Sequence, residues 1–324
     1  MSRLVALIVM ALALALVAPV AVLAQDASPA ASPMAGPCDA PALPPGTPTA
    51  MEEGTPAAEA EMAATPVGEE EQPAAEEAPA GTPADPTAAA DAEAALQNLF
   101  NCINGGDYLA VAALMTDNFI QNFLEVPTPY DVPATFEGVQ PIAVRTLANA
   151  QSYADGRVSV DAVISGLFSG PGALGSARWT FVEVDGVYKL DNYQDVTLPE
   201  GVLPDATVVD VQMVDFAFAL SEYMLPANTP VILRTTNNSG SGSGHVNVVL
   251  TYAEGTTAQG LIAGEVDTQT STGFFGALYL EPGMRGDLAF ESLAPGTYFL
   301  VCDVETEDGT PHYELGMVSQ VTVE

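Results

Sequence analysis

The chain has 324 residues, and its seven Lys and Arg against 42 Asp and Glu give a formal net charge of −35 at pH 7. Nucleic acids and anionic membrane surfaces bind positively charged protein faces, so we expect no nucleic-acid partner. We expect a membrane contact only if the apolar N-terminal segment is retained.

The N-terminus carries the first element. Residues 4–24 form an uninterrupted apolar run after Arg3, ending in VLA before Gln25. The run predicts a secretory signal peptide over residues 1–24. It is also long enough to stay as an uncleaved N-terminal anchor. In either case we expect the rest of the chain to be extracytoplasmic, either secreted or at the cell surface.

A low-complexity segment follows. Residues 25–88 consist mainly of Ala, Pro, Glu, Gly and Thr and contain no aromatic residue. Such a composition buries too little apolar surface to offset the entropy of the chain. We therefore predict a disordered linker.

The cysteine count is odd, with Cys38, Cys102 and Cys302. Unpaired thiols are scarce in oxidising compartments, so three cysteines indicate one disulfide and one residue with another role. If Cys302 binds a metal, Cys38 and Cys102 remain to pair. The alternative is that Cys102 is a small buried hydrophobe and Cys38 is free.

Helical patterns come before strand patterns in residues 89–200. Apolar residues at helical spacing up to the glycine pair 105–106 predict one helix, and Asp107 is the predicted N-cap of a second. A third helix is expected over GVQPIAVRTLANAQ, starting at Pro141. Three strand-like runs follow, the last two joined by the Asp185-Gly186 turn. This order predicts an α+β domain, with helices on a curved antiparallel sheet.

Two stretches of this domain, FNCINGGDYLAVAALMTDNF and ARWTFVEVDGVYKLDNYQDV, resemble the nuclear transport factor 2 and polyketide cyclase-like (SnoaL-like) superfamily. The resemblance implies a cone with an internal pocket. Tyr108, Asp117, Tyr193 and Asp195 are candidates to line that pocket, and amphipathic packing explains them equally well. Enzymes of the superfamily use His, Asp or Tyr there. The domain has no histidine, so we expect no enzyme, and either a small apolar ligand or a structural role.

Residues 205–324 contain many short alternating runs separated by Gly, Pro and Asn. Such a pattern predicts an all-β sandwich with Greek-key connections.

The motifs LPANTPVILRTTNN, LAPGTYFLVC and PHYELGM make this sandwich resemble the cupredoxins, or blue-copper proteins. The ligands of that family map onto His245, Cys302, His312 and Met317. The resemblance implies one type-1-like copper ion, because two imidazoles, a thiolate and a weak axial thioether form a blue-copper ligand set. We expect an exported protein that serves electron transfer or copper handling with a redox partner protein.

The spacing between two of these residues departs from the family. Nine residues, DVETEDGTP, separate Cys302 from His312, where small blue-copper proteins have two to four. The insertion either bulges outward and returns His312 to the site or carries it out of reach. Two alternatives therefore stay open: a metal-free binding or scaffold module in which Cys302 is a buried thiol, and zinc at the same residues.

Overall fold

A computed structural model describes residues 36–43, 81–167, 169–170, 172–240 and 242–324. The signal peptide predicted over 1–24 and most of the predicted linker lie outside the described residues. Among the described residues, no helix is long and apolar enough to cross a membrane.

Helices cover one face of the N-terminal unit. The first, α1 (Pro86–Gly105), begins inside the segment predicted as linker. Its N-cap Asp85 accepts hydrogen bonds from two main-chain N–H groups. The C-cap of the helix is Gly106, which has φ 71°. Three shorter helical segments follow: α2 (Tyr108–Ala113), a π-helical turn (Phe119–Phe123) and α3 (Val132–Thr135).

An antiparallel sheet forms the other half of this unit. In sheet order its strands are β1 (Thr82–Pro83), β2 (Gln140–Ser152), β3 (Val158–Leu167), β4 (Ala173–Val184) and β5 (Val187–Asp195). The turn between β4 and β5 is the predicted Asp185-Gly186 pair, where both residues have positive φ. The buried side of α1 packs on this sheet, mainly on β2 and β3.

The predicted third helix is wrong, because its residues form β2. This strand pairs with β3 from Gln140 to Ser152, and its register shifts at three places. Each shift changes which face the following residues occupy, so the two-residue alternation of a strand is lost in the sequence. Asn149, in the last of these shifts, has φ 50°.

The C-terminal unit is built from two facing sheet layers. Its strands are β6 (Thr207–Val214), β7 (Ala217–Leu220), β8 (Met224–Leu225), β9 (Val231–Asn237), β10 (His245–Thr251), β11 (Gly273–Leu280), β12 (Arg285–Phe290), β13 (Gly296–Val301) and β14 (Val318–Val323). One layer has the order β12-β9-β6-β7 and the other β11-β10-β13-β14-β8. Two short helical segments, α4 (Ala258–Ile262) and a 3-10 turn (Thr268–Thr270), lie between β10 and β11. A large apolar core fills the space between the layers.

The two units share one continuous sheet. Strand β4 of the first pairs with β12 of the second, with Ala289 opposite Leu174. Both residues belong to a buried apolar cluster together with Val163, Leu198 and Ile232. The described chain is thus mostly β-sheet with few helices, and the nuclear transport factor 2-like cone stays a prediction.

Cys38 and Cys102 form the predicted disulfide, closing a sequence separation of 64 residues. Cys102 lies in α1 and is fully buried, and Cys38 packs against the apolar core of the first unit. Cys302 is the one free cysteine among the described residues.

Candidate metal centre

Neighbouring strands bring the predicted ligands to one end of the sandwich. His245 is the first residue of β10, and Cys302 directly follows the last residue of β13. The two strands are antiparallel neighbours, with Val248 opposite Val301. The start of one strand and the end of the other therefore lie at the same edge. His312 and Met317 lie in the segment that leads from Cys302 into β14.

The nine-residue insertion folds back on itself and returns His312 to this edge. The main-chain N–H of His312 donates to the carbonyl of Val304 (2.8 Å). Glu305 and Pro311 form an antiparallel bridge next to this bond. The insertion is thus a small hairpin whose two ends lie side by side, so its length does not separate Cys302 from His312.

The tip of this hairpin is stabilised by its own polar groups. Thr306 N–H donates to the carbonyl of Thr310 (2.9 Å), and the Thr306 hydroxyl accepts from the Thr310 N–H (3.1 Å). Gly309 supplies a residue with φ 81°, a conformation that glycine adopts without steric cost. Hydrogen bonds within the insertion therefore close the hairpin.

Three donor atoms converge between these elements. Nδ1 of His245 lies 3.1 Å from Nδ1 of His312, and Sγ of Cys302 lies 3.9 Å and 3.5 Å from these two nitrogens. The circle through the three atoms has a radius of about 2.0 Å, close to a typical metal–nitrogen bond length. The group therefore has the dimensions of a three-ligand metal site, with all three donor atoms within 4.8 Å of one another.

Burial sets the protonation of these residues. It lowers the pKa of His245 to about 4, with His312 nearby as the second cause, and it lowers the pKa of His312. Both imidazoles are then neutral near pH 7, the form that ligates metals. Burial raises the pKa of the Cys302 thiol to about 12. A bound cation stabilises the thiolate, so metal binding here is expected to release a proton.

Met317 is close to this group through the main chain. Its carbonyl accepts from the N–H of Cys302 (3.2 Å), and its own N–H donates to the carbonyl of His312 (3.0 Å). Its side chain is fully buried in the sandwich core. The ring of Phe216 packs edge-on against His312 at 5.0 Å, a contact that the sequence pattern did not indicate.

A second feature, a cavity of about 420 Å³, lies where the two units meet. Tyr193 and Asp195, predicted as pocket residues, line it. Tyr108 and Asp117 are not among the lining residues; Tyr108 stacks on Phe136, and Asp117 is exposed. The lining residues from the second unit could not be predicted, because nothing in the sequence indicates that the two units share a sheet.

The cavity also adjoins the strand pair that carries His245. Tyr279 and Leu280 of β11 line the cavity, and they pair with Val246 and His245 of β10. One strand pairing thus separates the cavity wall from the group of donor atoms.

Comparisons with known proteins give structural likeness only. No protein-family model and no curated protein matches the chain. Reduced auracyanin from Roseiflexus castenholzii aligns with 37% of this chain and 98% of its own length, at 21% identity and a TM-score of 0.26. Auracyanin A, a "blue" copper protein from Chloroflexus aurantiacus, aligns with 37% of this chain and 99% of its own length, at 17% identity and a TM-score of 0.26. Reduced rusticyanin aligns with 37% of this chain and 81% of its own length, at 19% identity and a TM-score of 0.23. Likeness at such low TM-scores does not decide the fold or the ligand of this chain.

Proposed function

We propose that this chain is an exported, cupredoxin-like protein in which His245, Cys302 and His312 would hold one copper ion, with Met317 as a weaker fourth ligand. The proposal is carried by the convergence of two imidazole nitrogens and one thiol sulfur around a single point. Copper favours imidazole and thiolate ligands, whereas calcium and magnesium take oxygen ligands.

Bound copper supplies a one-electron carrier that cycles between Cu(I) and Cu(II). The chain's own residues would hold the ion in a fixed, water-poor site, since all four side chains are at most 1% exposed. His245 and Cys302 lie at the ends of paired strands, and a hydrogen-bonded hairpin holds His312. Such a rigid site changes little between oxidation states, which suits electron transfer with a redox partner protein or copper handling.

An extracytoplasmic location is part of the proposal. The Cys38–Cys102 disulfide supports it, because disulfides persist mainly in oxidising compartments. The apolar run of residues 4–24 supports it through the sequence alone.

A visible absorption spectrum of the copper-loaded protein tests the metal assignment. We expect one equivalent of Cu(II) to give an intense thiolate-to-copper band that Cys302→Ser abolishes. Met317→Leu should keep the band and shift the reduction potential, whereas the matched control Met224→Leu, at an exposed methionine, should change neither. A colourless complex, or binding that does not depend on Cys302, contradicts the proposal.

Zinc and the metal-free module remain the alternatives. Competition between Zn(II) and Cu(II) tests the first alternative: copper outcompetes zinc at most sites whatever their native metal, so preferential binding of zinc would support a zinc site. The cavity between the units favours the second alternative, a scaffold with a small-molecule site. Failure to bind either metal, combined with ligand binding in that cavity, would support it.

A further inference from the structure

The cavity between the two units has the size and the walls of a small-molecule site. Its volume of about 420 Å³ falls within the range typical of ligand pockets. Lining residues come from α1, the π-helical turn and strands β4 and β5 of the first unit, and from β11 and the turn after it in the second. A ligand here would contact both units at once.

Aromatic rings make up much of the wall. The six aromatic lining residues are Phe119, Phe123, Phe136, Trp179, Tyr193 and Tyr279. Several of them pack against each other: Trp179 meets Tyr193 edge-on at 4.9 Å, and Phe123 stacks on Phe119 at 4.6 Å. The faces of such rings attract cations as well as apolar groups.

The charged groups of the wall are all acidic. Asp195 and Glu281 are the charged residues among the described lining residues, and none of those is Lys, Arg or His. An anionic ligand would therefore have no counter-ion in the cavity, and it would be repelled by the two carboxylates. A cationic ligand would find both carboxylates and π faces.

Asp195 is held in place from both units. The hydroxyl of Tyr193 donates to its Oδ1 (2.7 Å), and the main-chain N–H of Tyr279 also donates to its carboxyl. Gly286 of β12 lies so close that an added Cβ would be 3.4 Å from the Cβ of Asp195. The carboxyl is thus preorganised at the contact between the units.

Burial raises the pKa of Asp195 to about 7 despite these two hydrogen bonds. Asp195 is half-buried and lines the cavity. Burial disfavours the ionised form of this carboxyl, and a ligand cation beside it would stabilise that form.

We propose that this cavity binds a small organic amine, with its apolar body against the aromatic wall and its protonated nitrogen at the Asp195 carboxylate. Residues of both units form the site, so neither unit contains it alone. The inference concerns the cavity and stands independently of the copper proposal.

The test is a titration of the full chain with three probes of equal length: 4-phenylbutylamine, 4-phenylbutan-1-ol and 4-phenylbutyrate. Trp179 is the single tryptophan of the chain and lines the cavity, so its fluorescence reports binding directly. Calorimetry in phosphate buffer, which contains no competing amine, gives the affinities. We expect the amine to bind at least tenfold more tightly than the alcohol, and the carboxylate to show no measurable binding.

Three variants locate the interaction. Asp195→Asn should lower the affinity for the amine at least tenfold and leave the affinity for the alcohol within twofold of the wild-type value. The matched control Asp117→Asn removes the same charge at an exposed position and should change neither affinity. Ala277→Phe, which fills the cavity from β11, should lower the affinities for both the amine and the alcohol.

Several outcomes would overturn the proposal. On the wild-type protein, equal affinity for the amine and the alcohol would refute cation recognition, as would no amine binding up to millimolar concentration. If the Asp195→Asn variant still bound the amine more tightly than the alcohol, the Asp195 carboxylate would not be the group that recognises the cation. Unchanged binding in a folded Ala277→Phe variant, checked by circular dichroism, would place the ligand outside the junction.

Discussion

Removing the Asp195 carboxyl should change how the stability of the ligand-free protein depends on pH. Burial raises the pKa of this group from 3.8 in the unfolded chain to about 7 in the fold. Between these values the folded state keeps a proton that the unfolded state has released. The free energy of unfolding therefore falls as pH rises through this window, and the stability is highest below it.

The magnitude follows from the size of the shift. Each pKa unit corresponds to about 1.36 kcal/mol, so ionisation of Asp195 costs the fold up to about 4 kcal/mol above pH 8. About 2.6 kcal/mol of this cost falls between pH 5 and pH 8. Asp195 is half-buried rather than fully enclosed, so solvent screening reduces this cost, and we expect about 1–3 kcal/mol over that interval.

The assay compares urea unfolding of the wild-type protein and Asp195→Asn from pH 5 to pH 8, followed by the fluorescence of Trp179. The sequence pI of about 4.1 makes lower pH unsuitable, because proteins associate near zero net charge. Asparagine cannot ionise, so the variant should gain about 1–3 kcal/mol relative to wild type as pH rises. Asp117→Asn should show no such gain. A difference between wild type and Asp195→Asn that stays constant across the range would refute the reasoning.

Three further predictions concern the rest of the fold. Replacing Cys38 and Cys102 together by alanine should lower the free energy of unfolding by about 4 kcal/mol in urea titrations, because the disulfide closes a loop of 64 residues; a loss below 1 kcal/mol would contradict this. Leu174→Ala, in the buried cluster between the units, should cost about 2–5 kcal/mol by calorimetry, and an unchanged melting temperature would argue against the shared sheet. Thr306→Val removes hydroxyl hydrogen bonds to Thr310 worth about 1 kcal/mol. The variant should bind copper about fivefold more weakly than the wild-type protein in chelator competition. Equal affinity of the two proteins for copper would mean that the hairpin does not position His312.

Local sequence rules accounted for much of the secondary structure. The Asp107 cap, the Asp185-Gly186 turn and the alternating runs of residues 205–324 are local signals, because capping, positive φ and side-chain alternation depend on near neighbours. The same rules failed for β2. Its register shifts hide the strand period, and the pairing with β3 that stabilises it is not visible in the sequence of β2 alone.

The chain's two histidines, its one cysteine outside the disulfide and Met317 appear in the sequence in the order of a copper site. That order and the types of donor atom can be read from the amino-acid sequence alone. The meeting of the donor atoms follows only from the fold, because the return of His312 depends on the hairpin formed by the insertion. The cavity follows from the fold as well, since Asp195 and Tyr279 are far apart in sequence and meet where the two units pack together, next to the pairing of β4 with β12.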